Sequence, residues 1–138
     1  MRKNPADLPT TAQKLRWYRL KMNLSQYELA ERIGVSRTVY RHYEDGRQKL
    51  YPKRKLSKLA KIFEITYKDL ADDYTLFINS GQAKELLKRR TALDMSPEEY
   101  ASYLGVSLKK YQSWESGENR MNKKNWELYV KDMGGKSK

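Results

Sequence analysis

The apolar residues of this chain recur at helical spacing, interrupted by short polar punctuation. Residues 11–22 carry one such pattern and end in a polar turn around Asn23. Ser25-Gln26-Tyr27-Glu28 then has the form of a capping box, a Ser hydroxyl and a Glu carboxylate placed to satisfy the free amides of a helix start. The pattern predicts a second helix over Gln26–Arg32. Ile33-Gly34-Val35 interrupts it, the glycine supplying the left-handed backbone that a tight turn between helices needs. Ser36 caps a third helix that runs to Asp45 and stops at Gly46. Pro52 opens a fourth, with Leu56, Leu59, Ala60, Ile62 and Phe63 on its apolar face. Thr66 caps a short fifth helix through Leu70.

The same punctuation returns at an offset of 71 residues. Ser25, Ala30, Gly34, Val35, Ser36, Tyr40, Glu44 and Gly46 fall on Ser96, Ala101, Gly105, Val106, Ser107, Tyr111, Glu115 and Gly117 without a gap. Leu15 pairs with Leu86, Arg19 with Arg90, and Tyr43 with Trp114. The chain reads as two copies of one unit. The second predicts helices over Gln82–Leu93, from Ser96-Pro97-Glu98-Glu99 onward, over Ser107–Ser116 and over Lys123–Lys131, with no fifth helix. The expected organisation is an N-terminal basic disordered tail (1–10), a first domain (11–72), a linker (73–80) where the apolar pattern lapses, a second domain (81–133) and a disordered tail (134–138).

Composition narrows the chemistry. There is no cysteine and one histidine among 138 residues, which excludes a zinc finger, a cysteine nucleophile and a disulfide scaffold. No catalytic constellation is visible, so the chain is expected not to be an enzyme, and no cofactor or metal is expected. No apolar run approaches a membrane span and the first ten residues lack a signal-peptide core, so a cytoplasmic, unanchored protein is expected. The formal charge of +12 favours a polyanionic partner, and 17 of the 29 basic side chains lie in residues 1–75.

The segment from Leu24 through Ser25-Gln26, the turn at Gly34 and Ser36-Arg37-Thr38 to Glu44-Asp45-Gly46 resembles the phage-repressor and Cro type of helix-turn-helix, the xenobiotic-response-element family. The resemblance covers residues 11–70, and residues 82–117 with more departures. It implies an all-α protein of two small lambda-repressor-like bundles in tandem, whose third helix enters the major groove of duplex DNA. The resemblance puts Arg37, Thr38, Arg41 and His42 at base edges. Arg37 is the strongest of these, since its guanidinium can donate twice to a guanine. Gln26 matches a position that anchors a phosphate and supports the reading helix, and Ser36, Arg47, Lys49 and Lys53 are further phosphate candidates. It also implies buried ion pairs Arg19–Glu44 and Arg90–Glu115, structural in role. In the second unit the reading positions hold Leu108, Lys109, Gln112 and Ser113, and Pro97 stands where Gln26 was. Lys109, Gln112 and Ser113 remain base-reading candidates of a poorer reader.

Blander roles compete for some of these residues. Tyr40, Tyr43, Tyr111 and Trp114 sit on the faces away from the reading positions and are expected in the core. Lys58 and Lys61 read as a solvated face. Gly135-Lys136-Ser137 resembles the end of a phosphate-binding loop, but the first glycine of that motif is replaced by Val130. The expected function is a sequence-specific regulator, a repressor, bound to double-stranded DNA. Two alternatives stay open: an interaction protein, such as an antitoxin or a phage inhibitor of host defence, whose second domain pairs with a copy of itself or with another protein; and an architectural binder with little sequence preference.

Overall fold

The computed structural model describes residues 4–134. Among these the chain is entirely α-helical apart from one 3-10 turn, and it divides into two compact units between Leu76 and Phe77.

The first unit opens with the 3-10 turn Pro5–Asp7, where a disordered tail was expected. Pro5 fixes its own backbone, and the Asp7 and Leu8 amides donate to the Asn4 and Pro5 carbonyls. Residues 1–3 and 135–138, with the basic start and the Gly135-Lys136-Ser137 string, lie outside the described residues. Five helices follow: α1 (Thr11–Lys21), α2 (Gln26–Ile33), α3 (Arg37–Asp45), α4 (Lys53–Phe63) and α5 (Tyr67–Leu70). Thr10, Ser25 and Thr66 form complete capping boxes with Gln13, Glu28 and Asp69, and the Ser36 hydroxyl accepts from the Val39 amide. Gly34 ends α2 at φ +77°, which lets the chain reverse directly into α3. Leu15, Leu29, Ile33, Tyr40, Tyr43, Leu56 and Leu59 close the core around this turn. Lys55, in the first turn of α4, is no solvated side chain: its Nζ donates to the Ile33 carbonyl at 2.9 Å and caps the end of α2.

The segment 73–80, expected as a linker, is helical and forms the start of α6 (Asp73–Ala92). Tyr74, Phe77 and Ile78 have helical spacing, and Asp72 accepts from the Thr75 amide at 2.8 Å as an N-terminal cap. The cluster Asn79-Ser80-Gly81 concealed this pattern. The helical geometry breaks at Gly81 (φ 109°, ψ 92°), a conformation open to glycine alone. After it come α7 (Pro97–Leu104), α8 (Leu108–Glu115) and α9 (Lys123–Asp132). Ser96 and Ser107 cap α7 and α8 as Ser25 and Ser36 cap α2 and α3, and Gly105 takes φ +82°. Leu86, Tyr100, Leu104, Tyr111, Trp114 and Met121 form a separate core. No helix among the described residues is long and apolar enough to cross a membrane.

Candidate nucleic-acid interface

The face of α3 is set by which of its side chains the core takes. Tyr40 and Tyr43 are buried, so the positions on the other side, Arg37, Thr38 and Arg41, are exposed. Arg37 and Arg41 stand one turn apart on one stripe, with Thr38 and His42 on the next. Neither Arg37 nor Arg41 enters an ion pair among the described residues. His42 is half-buried, with the Arg47 guanidinium 3.4 Å from its Nε2.

The helix carrying these groups is clamped from behind. Arg19 of α1 forks onto Glu44 at 2.7 and 3.0 Å, and its remaining Nη1 donates to the Leu24 carbonyl at 3.0 Å. Gln26 adds a third donor, Nε2 to Glu44 Oε1 at 3.1 Å. The Glu44 side chain is 3% exposed, so the arrangement is a satisfied buried charge rather than a surface bridge. The hydrogen bond that Arg19 donates to Glu44, opposed by burial and aided by the carboxylate's charge, raises the Arg19 pKa further above its ordinary value. Burial first, then the Glu44 charge, pushes the Tyr40 hydroxyl far above the usual phenol range, so it stays protonated. The support extends to the end of α3, where the Tyr51 hydroxyl donates to the Tyr43 carbonyl at 2.8 Å.

The phosphate candidates fall into two groups. Ser36 accepts from the Val39 amide, which leaves its own hydroxyl proton for an outside acceptor, and Gln26 keeps one amide proton after Glu44 takes the other. Lys49 reaches the Gly46 carbonyl only at 3.5 Å. Arg47 and Lys53 are engaged locally: Arg47 lies 3.6 Å from Asp45, and Lys53 stands over the Tyr67 ring at 5.7 Å. Both interactions are exposed and weak, and give way cheaply to a phosphate.

The second unit repeats the clamp with one difference. Arg90 forks onto Glu115 at 3.1 and 2.8 Å and its Nη1 donates to the Met95 carbonyl at 3.0 Å, the same three bonds as Arg19 makes. With Pro97 in place of Gln26, the Glu115 side chain is 20% exposed. Leu108 is half-buried, Lys109 and Gln112 are exposed, and the Ser113 hydroxyl donates back to the Lys110 carbonyl at 2.7 Å. That bond consumes the proton Ser113 would offer a base. Two networks here carried no signal in the sequence. Gln82, 8% exposed, donates to the Trp114 and Asn119 carbonyls and accepts from the Met121 amide. Arg89 forks onto the buried Asp132, which also accepts from the Tyr100 hydroxyl at 2.6 Å. The partners lie 32 to 43 residues apart, beyond any local pattern.

Residues 15–70 match the Helix-turn-helix family. No curated protein and no solved structure matches the chain. The family match ends at Leu70 and so rests on the first unit alone, with its turn at Gly34, its exposed α3 face and the buried Arg19–Glu44 pair inside it. Over residues 15–70 the first unit therefore matches the repressor type of helix-turn-helix, a family of DNA-binding transcription regulators.

Proposed function

We propose that the chain is a repressor that binds a specific duplex sequence by inserting α3 into the major groove. The observation that carries this reading is the pairing of an exposed Arg37–Thr38–Arg41 face, free of ion pairs among the described residues, with a helix held rigid by Arg19, Glu44 and Gln26. Rigid presentation matters because a bidentate Arg–guanine contact tolerates little misplacement, whereas phosphate contacts bring affinity without sequence. Arg37 and Arg41 read base edges with Thr38 and His42 beside them. Ser36, Gln26, Arg47, Lys49 and Lys53 hold the flanking phosphates. We read the second unit as a divergent copy of the first, in line with the recurrence of caps, turn and clamp 71 residues on.

Selection from a random duplex library tests this. Intact protein enriches one motif and Arg37→Ala loses a guanine within it; failure to enrich any motif rejects the proposal. A second reading, an interaction protein whose second unit docks a protein or a second copy, draws on the exposure of Leu87, Tyr103 and Met133, at 46%, 56% and 52%. Absence of a motif together with dimerisation in analytical ultracentrifugation supports it.

A further inference from the structure

The second unit carries an open concavity of about 720 Å³ bounded by α8, the segment after it and the start of α9. Lys109, Lys110, Gln112, Asn119, Arg120 and Asn125 line it, and Glu118 is the one acid on its wall. Lys109, Lys110 and Arg120 are exposed, and none makes an ion pair or side-chain hydrogen bond among the described residues. Three free cations thus share one polar hollow with a single carboxylate.

The groups that would read a base there are weakened at the same time. Leu108 occupies the place of Arg37 and has nothing to donate. Ser113 gives its proton to the Lys110 carbonyl. Lys110 stands where α3 has Val39, so the added charge lies beside the reading stripe rather than on it. A lysine is a point charge on a flexible stem, suited to a phosphate oxygen more than to the fixed two-point pattern of a base edge.

From this we infer that the second unit is a sequence-neutral clamp: its hollow takes the phosphate backbone of the same duplex through Lys109, Lys110 and Arg120, while base discrimination is left to the first unit. This rests on the proposal that the chain binds duplex DNA. Charge complementarity selects the occupant, since a polyanionic backbone offers closely spaced charges to all three cations and its affinity is set by the counterions they displace.

The test uses full-length protein, a Lys109→Ala/Lys110→Ala/Arg120→Ala triple variant and Gln112→Ala, each checked by circular dichroism melting. Binding to the selected duplex and to a scrambled one is followed by fluorescence anisotropy over a potassium chloride series. In the triple variant both affinities fall by the same factor. The log–log salt slope becomes shallower by about 0.9 for each phosphate that the variant no longer neutralises. The motif selected from a random library keeps its length, in this variant and in Gln112→Ala. A motif shortened by either substitution overturns the inference, because α8 then reads bases; so does an unchanged affinity and slope in the triple variant, because the hollow then does not touch DNA. If intact protein binds neither duplex, the DNA-binding proposal itself fails, an outcome distinct from both.

Discussion

At the scale of single residues, the proposed recognition and the stability rest on different arginines. Arg37 is exposed and forms no ion pair among the described residues, so Arg37→Ala removes little from the fold. It is expected to cost about 1 to 3 kcal/mol of discrimination at one base pair, read as a relaxed preference in competition binding. Arg19 is the opposite case, buried and fully committed to Glu44 and Leu24. Arg19→Ala strands the Glu44 carboxylate and is expected to lower stability by about 3 to 5 kcal/mol in denaturant melts, enough to unfold a domain of this size. The Arg19–Glu44 and Arg90–Glu115 pairings were legible beforehand, because the family resemblance fixes which helices they join. The Arg89–Asp132–Tyr100 cluster was not, since its members hold no shared motif. It leaves a pH signature. Burial pushes the Asp132 and Glu115 carboxyls up, but hydrogen bonds from Arg89 and Tyr100 to the first, and from Arg90 to the second, outweigh it and hold both below the ordinary range. A depressed acid stabilises the fold above its unfolded pKa, near 4, and loses that contribution as pH falls through its folded value. The second unit is therefore expected to melt at progressively lower temperature below about pH 4. Asp132→Asn flattens that dependence.

At the scale of elements, the helix boundaries were legible wherever a cap residue wrote them. Ser25, Ser36, Thr66, Ser96 and Ser107 each sit one residue before a helix. The start of α6 was hidden because its cap, Asp72, stands in an acidic pair and its tail is polar, so the string reads as a linker until the burial of Tyr74, Thr75 and Phe77 is known. At the turns the chemistry is backbone conformation. A Cβ on Gly34 would meet only Lys55 Nζ, at an ordinary 3.7 Å, so Gly34→Ala does not clash. Its left-handed φ is the penalty, expected at about 1 to 2 kcal/mol in melting experiments. Gln82→Leu probes a different kind of joint. It removes the three hydrogen bonds to the Trp114 and Asn119 carbonyls and the Met121 amide, and is expected to cost about 0.5 to 1.5 kcal/mol for each bond lost.

At the scale of the molecule, the two units have separate cores with no residue in common. Glu44→Ala is accordingly expected to release amide protection in residues of the first core, while Tyr100, Tyr111 and Trp114 keep theirs, as hydrogen exchange will read. The proposed division of labour, one unit discriminating and the other clamping, predicts strong salt dependence from both units but sequence dependence from one. Charge alone suggested a polyanionic partner; the proposed assignment of roles draws on side-chain placements, such as the Ser113 bond to Lys110, that the sequence does not show.

The supports behind the two corresponding helices share a property. Tyr51 holds α3 through the Tyr43 carbonyl, and Gln82 holds α8 through the Trp114 carbonyl, at the same position of the repeat. Both grip main chain, and both come from outside the helix they hold. The forked arginines likewise meet a glutamate that each helix carries at the same place. A helix seated this way is a cassette: its outward residues can be rewritten, or the whole segment exchanged between units, without redesigning its socket. If α3 reads a duplex as proposed, such a socket lets the word it reads change faster than the fold that presents it.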